Sequence, residues 1–171
     1  MIDASSAMQL QHDAQQFLFH EARLLDTRKW REWQKLFTED ALYWIPASLD
    51  DYDPNRHVSI VYDDPALLND RIKRLESGQA YSQEPASRTL HQINNVTVER
   101  QDDALLVRSN LLLCEFRPNS QRRMEQINVF PAACEHELTG QPGQPGAWKI
   151  RRKKVVILQS DGTMTDLTFL I

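Results

Sequence analysis

Between Ser6 and Leu25 the apolar residues Leu10, Ala14, Phe17, Leu18, Ala22 and Leu25 recur at spacings of three and four, which predicts one stripe of an amphipathic helix. Asp26 or Thr27 is placed to cap a second, shorter helix, in which Trp30, Trp33 and Phe37 repeat at helical spacing as core aromatics. After Glu39 the pattern changes to ALYWIP, a strand closed by Pro46. Ala47 to His57, with Asp50, Asp51, Asp53 and Pro54, has no period and reads as a solvated loop, followed by a short strand at Val58 to Tyr62. Asp64 then stands as an N-cap with Pro65 at the first helical position. Leu68, Ile72 and Leu75 form the stripe of this third helix, and Gly78 supplies a left-handed residue at its end.

From Ser87 onward the chain reads mostly as strand. SRTLHQINNVTV (Ser87 to Val98) alternates, with Arg88 and Asn94 on one face and His91, Ile93 and Asn95 on the other. So many polar groups in one strand mean either a polar pocket or a buried hydrogen-bond network. Ala104 to Arg117 puts Leu105, Val107, Leu111 and Leu113 on one face and then breaks parity near Cys114, where a bulge would turn Phe116 inward. Met124 to Leu138 is a second long strand, in which Pro131 calls for an edge or a bulge. The turn TGQPGQPGA leads to a third strand, Trp148 to Leu158, and the apolar ending LTFLI calls for burial. Helices first and long antiparallel strands afterwards give an α+β class, with a bulged, curved, mostly antiparallel sheet wrapped around the N-terminal helices as a cone.

Size and charge narrow the possibilities. At 171 residues the chain is one domain, residues 1–171, and its formal charge of −4 carries no basic footprint for nucleic acid. No apolar run approaches the roughly 20 residues that span a bilayer, and MIDASSAMQLQHD has no signal-peptide core, so a cytoplasmic, membrane-free protein is expected. Cys114 and Cys134 are expected as buried free thiols in a reducing compartment.

Few residues offer chemistry. His12 and His20 stand eight apart on a helix, about 12 Å along its axis, too far to share a metal. Cys134-Glu135-His136 has half the look of a Rieske ligand set, but the two further ligands are missing. The five glycines make no GxGxxG, P-loop or GxSxG. Arg151, Arg152, Lys153 and Lys154 read either as a solvated strand edge or as a contact surface for an acidic partner, with two charges facing each way. His20, Asp40, Tyr43, Arg88 and His91 remain as an acid, base and arginine set. Asp40, Tyr43 and His91 converging on one cavity would suit a stand-alone dehydratase or isomerase, or a small-ligand binder. Arg88 and His91 buried against Glu21 or Asp40 would instead brace the core.

FLFHEARLLDTRKWREWQKLFTEDALYWIPA, NDRIKRLESG, EPASRTLHQINNV and WKIRRKKVVIL, taken in this order, resemble the small, or beta, subunit of bacterial aromatic-ring-hydroxylating dioxygenases from about Phe17 to the end. The resemblance implies a cone fold of the nuclear-transport-factor-two and scytalone-dehydratase type, which is cystatin-like. It implies assembly with a large alpha subunit, typically as three alpha and three beta chains with beta–beta contacts forming a trimeric base. The Rieske [2Fe–2S] cluster and the mononuclear Fe(II) would belong to the alpha subunit, and NADH would serve a separate reductase. The beta chain would then hold no cofactor and no catalytic residue; it would be mainly structural in the catabolism of an aromatic compound, and in some members it influences substrate preference. Arg88, His91, Asn95 and the run Arg151, Arg152, Lys153 and Lys154 become candidates for internal bracing and subunit contacts. Arg117 to Arg123 and Gln141 to Gly146 match no motif of the family.

Overall fold

The computed structural model describes residues 4–49, 53–78, 86–118, 127–140, 148–162, 167 and 169–171. Asp50, Asp51, the loop through Gln83 and Pro85, the start of a strand at Met124, the turn after Gly140 and Met164 lie outside them.

The first stripe becomes α1 (Ala4–Asp26), whose Leu10, Ala14, Phe17 and Leu18 are buried against the sheet. Arg28, at φ 57°, closes α1 by lending the left-handed residue that Gly usually supplies, with Lys29 N–H donating to Leu24 C=O at 2.8 Å and Arg28 N–H to Leu25 C=O at 3.0 Å. Thr27 also belongs to this closure, its hydroxyl bonded to Arg23 C=O at 2.6 Å. Neither Asp26 nor Thr27 therefore caps α2 (Trp30–Gln34), which is preceded by Lys29 with no side-chain cap. Helix α2 also stops short of Phe37, the first residue of β1 (Phe37–Pro46). Trp33, Phe37 and Tyr43 are still core aromatics, with Trp33 edge-on to Phe37 at 4.8 Å and to Tyr43 at 5.7 Å. β2 (Ser59–Asp63) pairs back on β1, and α3 (Pro65–Glu76) follows, with Asp64 accepting from Leu67 N–H at 2.9 Å, Pro65 in its first turn, and Gly78 at φ 61° beyond its end.

β3 (Arg88–Gln101), β4 (Ala104–Phe116), β5 (Ile127–Thr139) and β6 (Lys149–Ile157) complete a six-stranded sheet in the order β2-β1-β6-β5-β4-β3. All pairs are antiparallel except β1 with β6. Helix α1 lies across β3, tied by Gln11 to the Val96 C=O at 2.5 Å. The helices fill the inside of the curl, in two apolar clusters that share Leu36, Phe37 and Ile93 at their rims.

Three details differ from the sequence pattern. β4 runs without a break against β5, so Glu115, not Phe116, faces inward near Cys114. The slip is in β3, where Asn95 and Val96 oppose Ser109 alone. Asn95 takes φ 51° at this bulge, which Asn tolerates better than most residues, so it is exposed and the inward row reads Thr89, His91, Ile93, Val96 and Val98. Finally, β5 and β6 are interior strands, which corrects an edge position for both Pro131 and the basic run. Pro131 is tolerated where β6 ends. Its C=O accepts from Leu158 N–H at 2.8 Å, and its missing N–H points to the same side, beyond the last β5–β6 pair, Ala132 with Ile157.

Candidate functional site

Glu21 lies on the apolar stripe of α1, four residues after Phe17, and is delivered to the inner face of the sheet. One oxygen accepts from Trp33 Nε1 at 3.0 Å and Lys153 Nζ at 2.7 Å, and the other meets His136 Nε2 at 3.0 Å. His136 and Lys153 are direct cross-strand neighbours, and all three ionisable side chains are buried. Burial alone would push the Glu21 carboxyl up, but the Lys153 ammonium and His136 outweigh it and hold the group well below the usual carboxylate range. The Lys153 ammonium offsets the charge of the carboxylate, and His136 Nδ1 has no hydrogen-bond partner among the described residues. Lys153 also lies 5.6 Å from the centre of the Trp33 ring.

Three further polar centres brace the fold. Asp26, at the end of α1, takes the backbone N–H of His91 at 3.1 Å and its Nδ1 at 2.6 Å. Glu115, fully buried, accepts from Ser87 Oγ at 2.5 Å, Arg117 at 3.1 and 3.2 Å, and Asn128 Nδ2 at 2.9 Å. Asp63, in β2, holds Arg71 of α3 at 2.5 and 3.0 Å. The charged groups of the inner face are thus each engaged by at least one partner, while His91 Nε2, Ser109 Oγ and His136 Nδ1 are buried without one among the described residues. Cys134 beside them is a free thiol that burial pushes up to about 12, while Cys114 is free and half-buried on the other face.

The residues singled out from the sequence scatter accordingly. Asp40 is exposed, Tyr43 is buried with its hydroxyl bonded to Ile171, and His91 is bonded to Asp26, so each has its own surroundings. His20 is exposed on α1. Arg88 is exposed on the outer face, its guanidinium 5.8 Å from the centre of the Phe116 ring. In the basic run a bulge at Arg151 breaks the alternation, so Lys153 alone points inward. Arg151 pairs with Glu137 and with Asp103 at 3.1 Å, Arg152 approaches Glu137 at 3.7 Å, and Lys154 lies 4.6 Å from the centre of the Trp44 ring. Among the described residues no group of three or more His, Cys, Asp or Glu is placed to hold a metal ion.

The sequence reading missed Glu21 as the hub, although a charge inside a helix stripe facing His136 and Lys153 was the available signal. It also missed the outer face. There the register lines up Leu90, Cys114 and Val129 in one row and Phe116 with Ile127 in the next. Ile127 is 64% and Leu158 62% exposed, and beside them a groove of about 470 Å³ runs between Asn94, Asn95, Leu112, Pro131, Val156 and Leu158. Contiguous apolar surface of this kind marks a contact site.

Comparison with known proteins gives this arrangement a context. A family model described as "Ring hydroxylating beta subunit" matches residues 20–162. The beta subunit of 3-phenylpropionate/cinnamic acid dioxygenase from Photorhabdus laumondii is 30% identical over 171 residues, covering 95% of this chain and 92% of that one. The crystal structure of the benzoate 1,2-dioxygenase beta subunit from Burkholderia mallei superposes with a TM-score of 0.70 at 26% identity, over 99% of both chains. In fold alone, a scytalone-dehydratase-like protein from Novosphingobium aromaticivorans matches with a TM-score of 0.62 at 17% identity, over 96% of this chain and 91% of that one.

Proposed function

Since the chain belongs to the family of ring-hydroxylating beta subunits, we propose that it works as the non-catalytic small partner of a large oxygenase subunit in the dihydroxylation of an aromatic compound. The observation that carries this reading is the division of the sheet into an inner face whose charged groups are paired within the chain and an outer face that exposes Leu90, Ile127, Val129 and Leu158. In the proposed assembly the Rieske [2Fe–2S] cluster and the mononuclear Fe(II) are held by the alpha subunit, and electrons come from NADH through a separate reductase. Three alpha and three beta chains assemble in the cytoplasm, the beta chains touching one another. The rims shared by the two apolar clusters support residues 1–171 acting as one domain.

Within this reading the candidate residues divide by face. His91 and Lys153 brace helices to sheet, whereas Arg88, Asn95, Arg151, Arg152 and Lys154 lie on or beside the surface offered to partners. The separation of Asp40, Tyr43 and His91 supports a structural role over a stand-alone dehydratase or isomerase. The test is co-expression with an alpha subunit carrying Cys-x-His and Cys-x-x-His. The isolated chain is expected to be iron-free and inert, and to co-purify with the alpha subunit in equal amounts. Stoichiometric iron in the isolated chain, or failure to associate with the alpha subunit, would overturn the proposal.

A further inference from the structure

Cys134 and His136 stand two apart in β5, and both are buried on its inner face. Residues at that spacing share one side of a strand, with Cα atoms about 6.6 Å apart. His136 turns Nε2 to the Glu21 carboxylate at 3.0 Å, and since a carboxylate only accepts, the ring proton sits on Nε2. Nδ1 is then a lone pair, buried and without a hydrogen-bond partner among the described residues. Ser109, paired with Cys134 across the β4–β5 ladder, is 4% exposed, and its Oγ has no partner among them either. A free thiol, an imidazole nitrogen and a hydroxyl are thereby gathered on neighbouring positions beside the apolar groups of Leu111, Ala132 and Val155. Buried polar atoms left unpaired in this way ask for a ligand. A histidine that donates its other ring N–H to a carboxylate is the usual form of a metal-ligating histidine, because the carboxylate fixes the ring and makes the free nitrogen more basic.

We infer that Cys134 Sγ and His136 Nδ1 form a two-ligand site for the soft monovalent ion Cu(I), with Ser109 Oγ donating a hydrogen bond to the sulfur. Thiolate and imidazole are donors that copper takes, and thiolate selects Cu(I). Two metal–ligand bonds of roughly 2 Å each, added to the lean of the two side chains, span the distance between neighbouring positions on one face. Charge decides between a monovalent and a divalent ion. Glu21 and Lys153 already offset each other beside the site, so a divalent ion on one thiolate would leave a net positive charge buried, whereas Cu(I) on one thiolate is neutral. On binding, the Cys134 S–H bond breaks, an S–Cu bond forms and the proton leaves to solvent, with no change of oxidation state.

Cys114 is the other thiol, so the test uses the full chain carrying Cys114→Ser. The chain is incubated anaerobically with Cu(I), both natively and through refolding from urea, and then challenged with the Cu(I) chelator bathocuproine disulfonate. It is expected to retain one copper per chain, to melt higher with copper bound, and to show one sulfur and one nitrogen at the metal by X-ray absorption. Adding Cys134→Ser should abolish retention. Ser109→Ala, which leaves the contacts of Glu21 in place, should weaken it about tenfold by removing a hydrogen bond to a charged sulfur. His136→Gln should also release the copper, and if that variant does not fold, the nitrogen seen by X-ray absorption in the Cys114→Ser chain decides the same point. The inference is overturned if the Cys114→Ser chain gives up all its copper to the chelator, if Cys134→Ser retains copper equally well, or if the bound metal shows sulfur without nitrogen.

Discussion

The two faces of the same sheet handle polarity in opposite ways. On the inner face, where polar groups are costly, there are Glu21, His91, Glu115, His136 and Lys153, each hydrogen-bonded to an identified partner. On the outer face, where water would satisfy any polar group, the row Leu90, Cys114, Val129 and the neighbours Ile127 and Leu158 are left apolar. Burial therefore does not locate the function of this fold. The inner groups join helices to strands at Glu21 and His91 and strand to strand at Glu115, while the outer surface presents apolar side chains to a partner.

If that division is right, breaking the inner face should cost folding and breaking the outer face should cost assembly. The largest effect is expected for Glu21→Gln, which leaves Lys153 buried without a counter-charge, a loss of about 3–5 kcal/mol in urea unfolding of the isolated chain. The pH dependence follows from the same group. Its folded carboxyl is held below the ordinary value of 4.5, so its stabilisation is complete above about pH 4.5 and fades as the pH falls below that toward the folded value. Glu21→Gln should flatten this acid limb of the stability curve, and an unchanged limb would remove Glu21 from its place as the hub.

Leu158→Asp should do the reverse. Association with the alpha subunit or between beta chains is expected to weaken at least tenfold by pull-down and sedimentation. The melting temperature of the isolated chain should hardly move, as is usual for an exposed substitution. Assembly at wild-type strength would show that the partner contact lies elsewhere. Asp26→Asn, which replaces a charged acceptor on His91 with a neutral one, should lower stability by about 1–2 kcal/mol. The smallest effect is expected at the bulge: Asn95→Gly within a few tenths of a kcal/mol, against a loss of about 1–2 kcal/mol for Asn95→Val, whose branched side chain resists the left-handed backbone.

Local rules made much of this legible from the sequence. The stripe of α1, the Asp64–Pro65 start of α3 and the alternation of β4 each depend on neighbours a few residues away. Resemblance carried the family and the cone fold. The bulges at Asn95 and Arg151 were hidden, because a strand's parity is set by its partner's register as well as by its own pattern. Each slip sends the following side chains to the opposite face, so Asn95 and the basic run were assigned to the wrong neighbours. Glu21, foreseen as a bracing carboxylate, was given the wrong partners for a related reason: His136 and Lys153 lie 115 and 132 residues away, at distances the sequence does not display.

The parallel pairing of β1 with β6 has a consequence for how the chain is made. Phe37 meets Ile150 and Leu42 meets Arg152, so the first hairpin has no sheet to join until nearly the whole chain has been synthesised. During that interval the apolar stripe of α1 and the aromatics of α2 await the strands that will cover them. Pairings this distant in sequence form slowly and leave intermediates prone to aggregation. Expression at low temperature, or together with a partner that covers apolar surface early, should therefore raise the soluble yield.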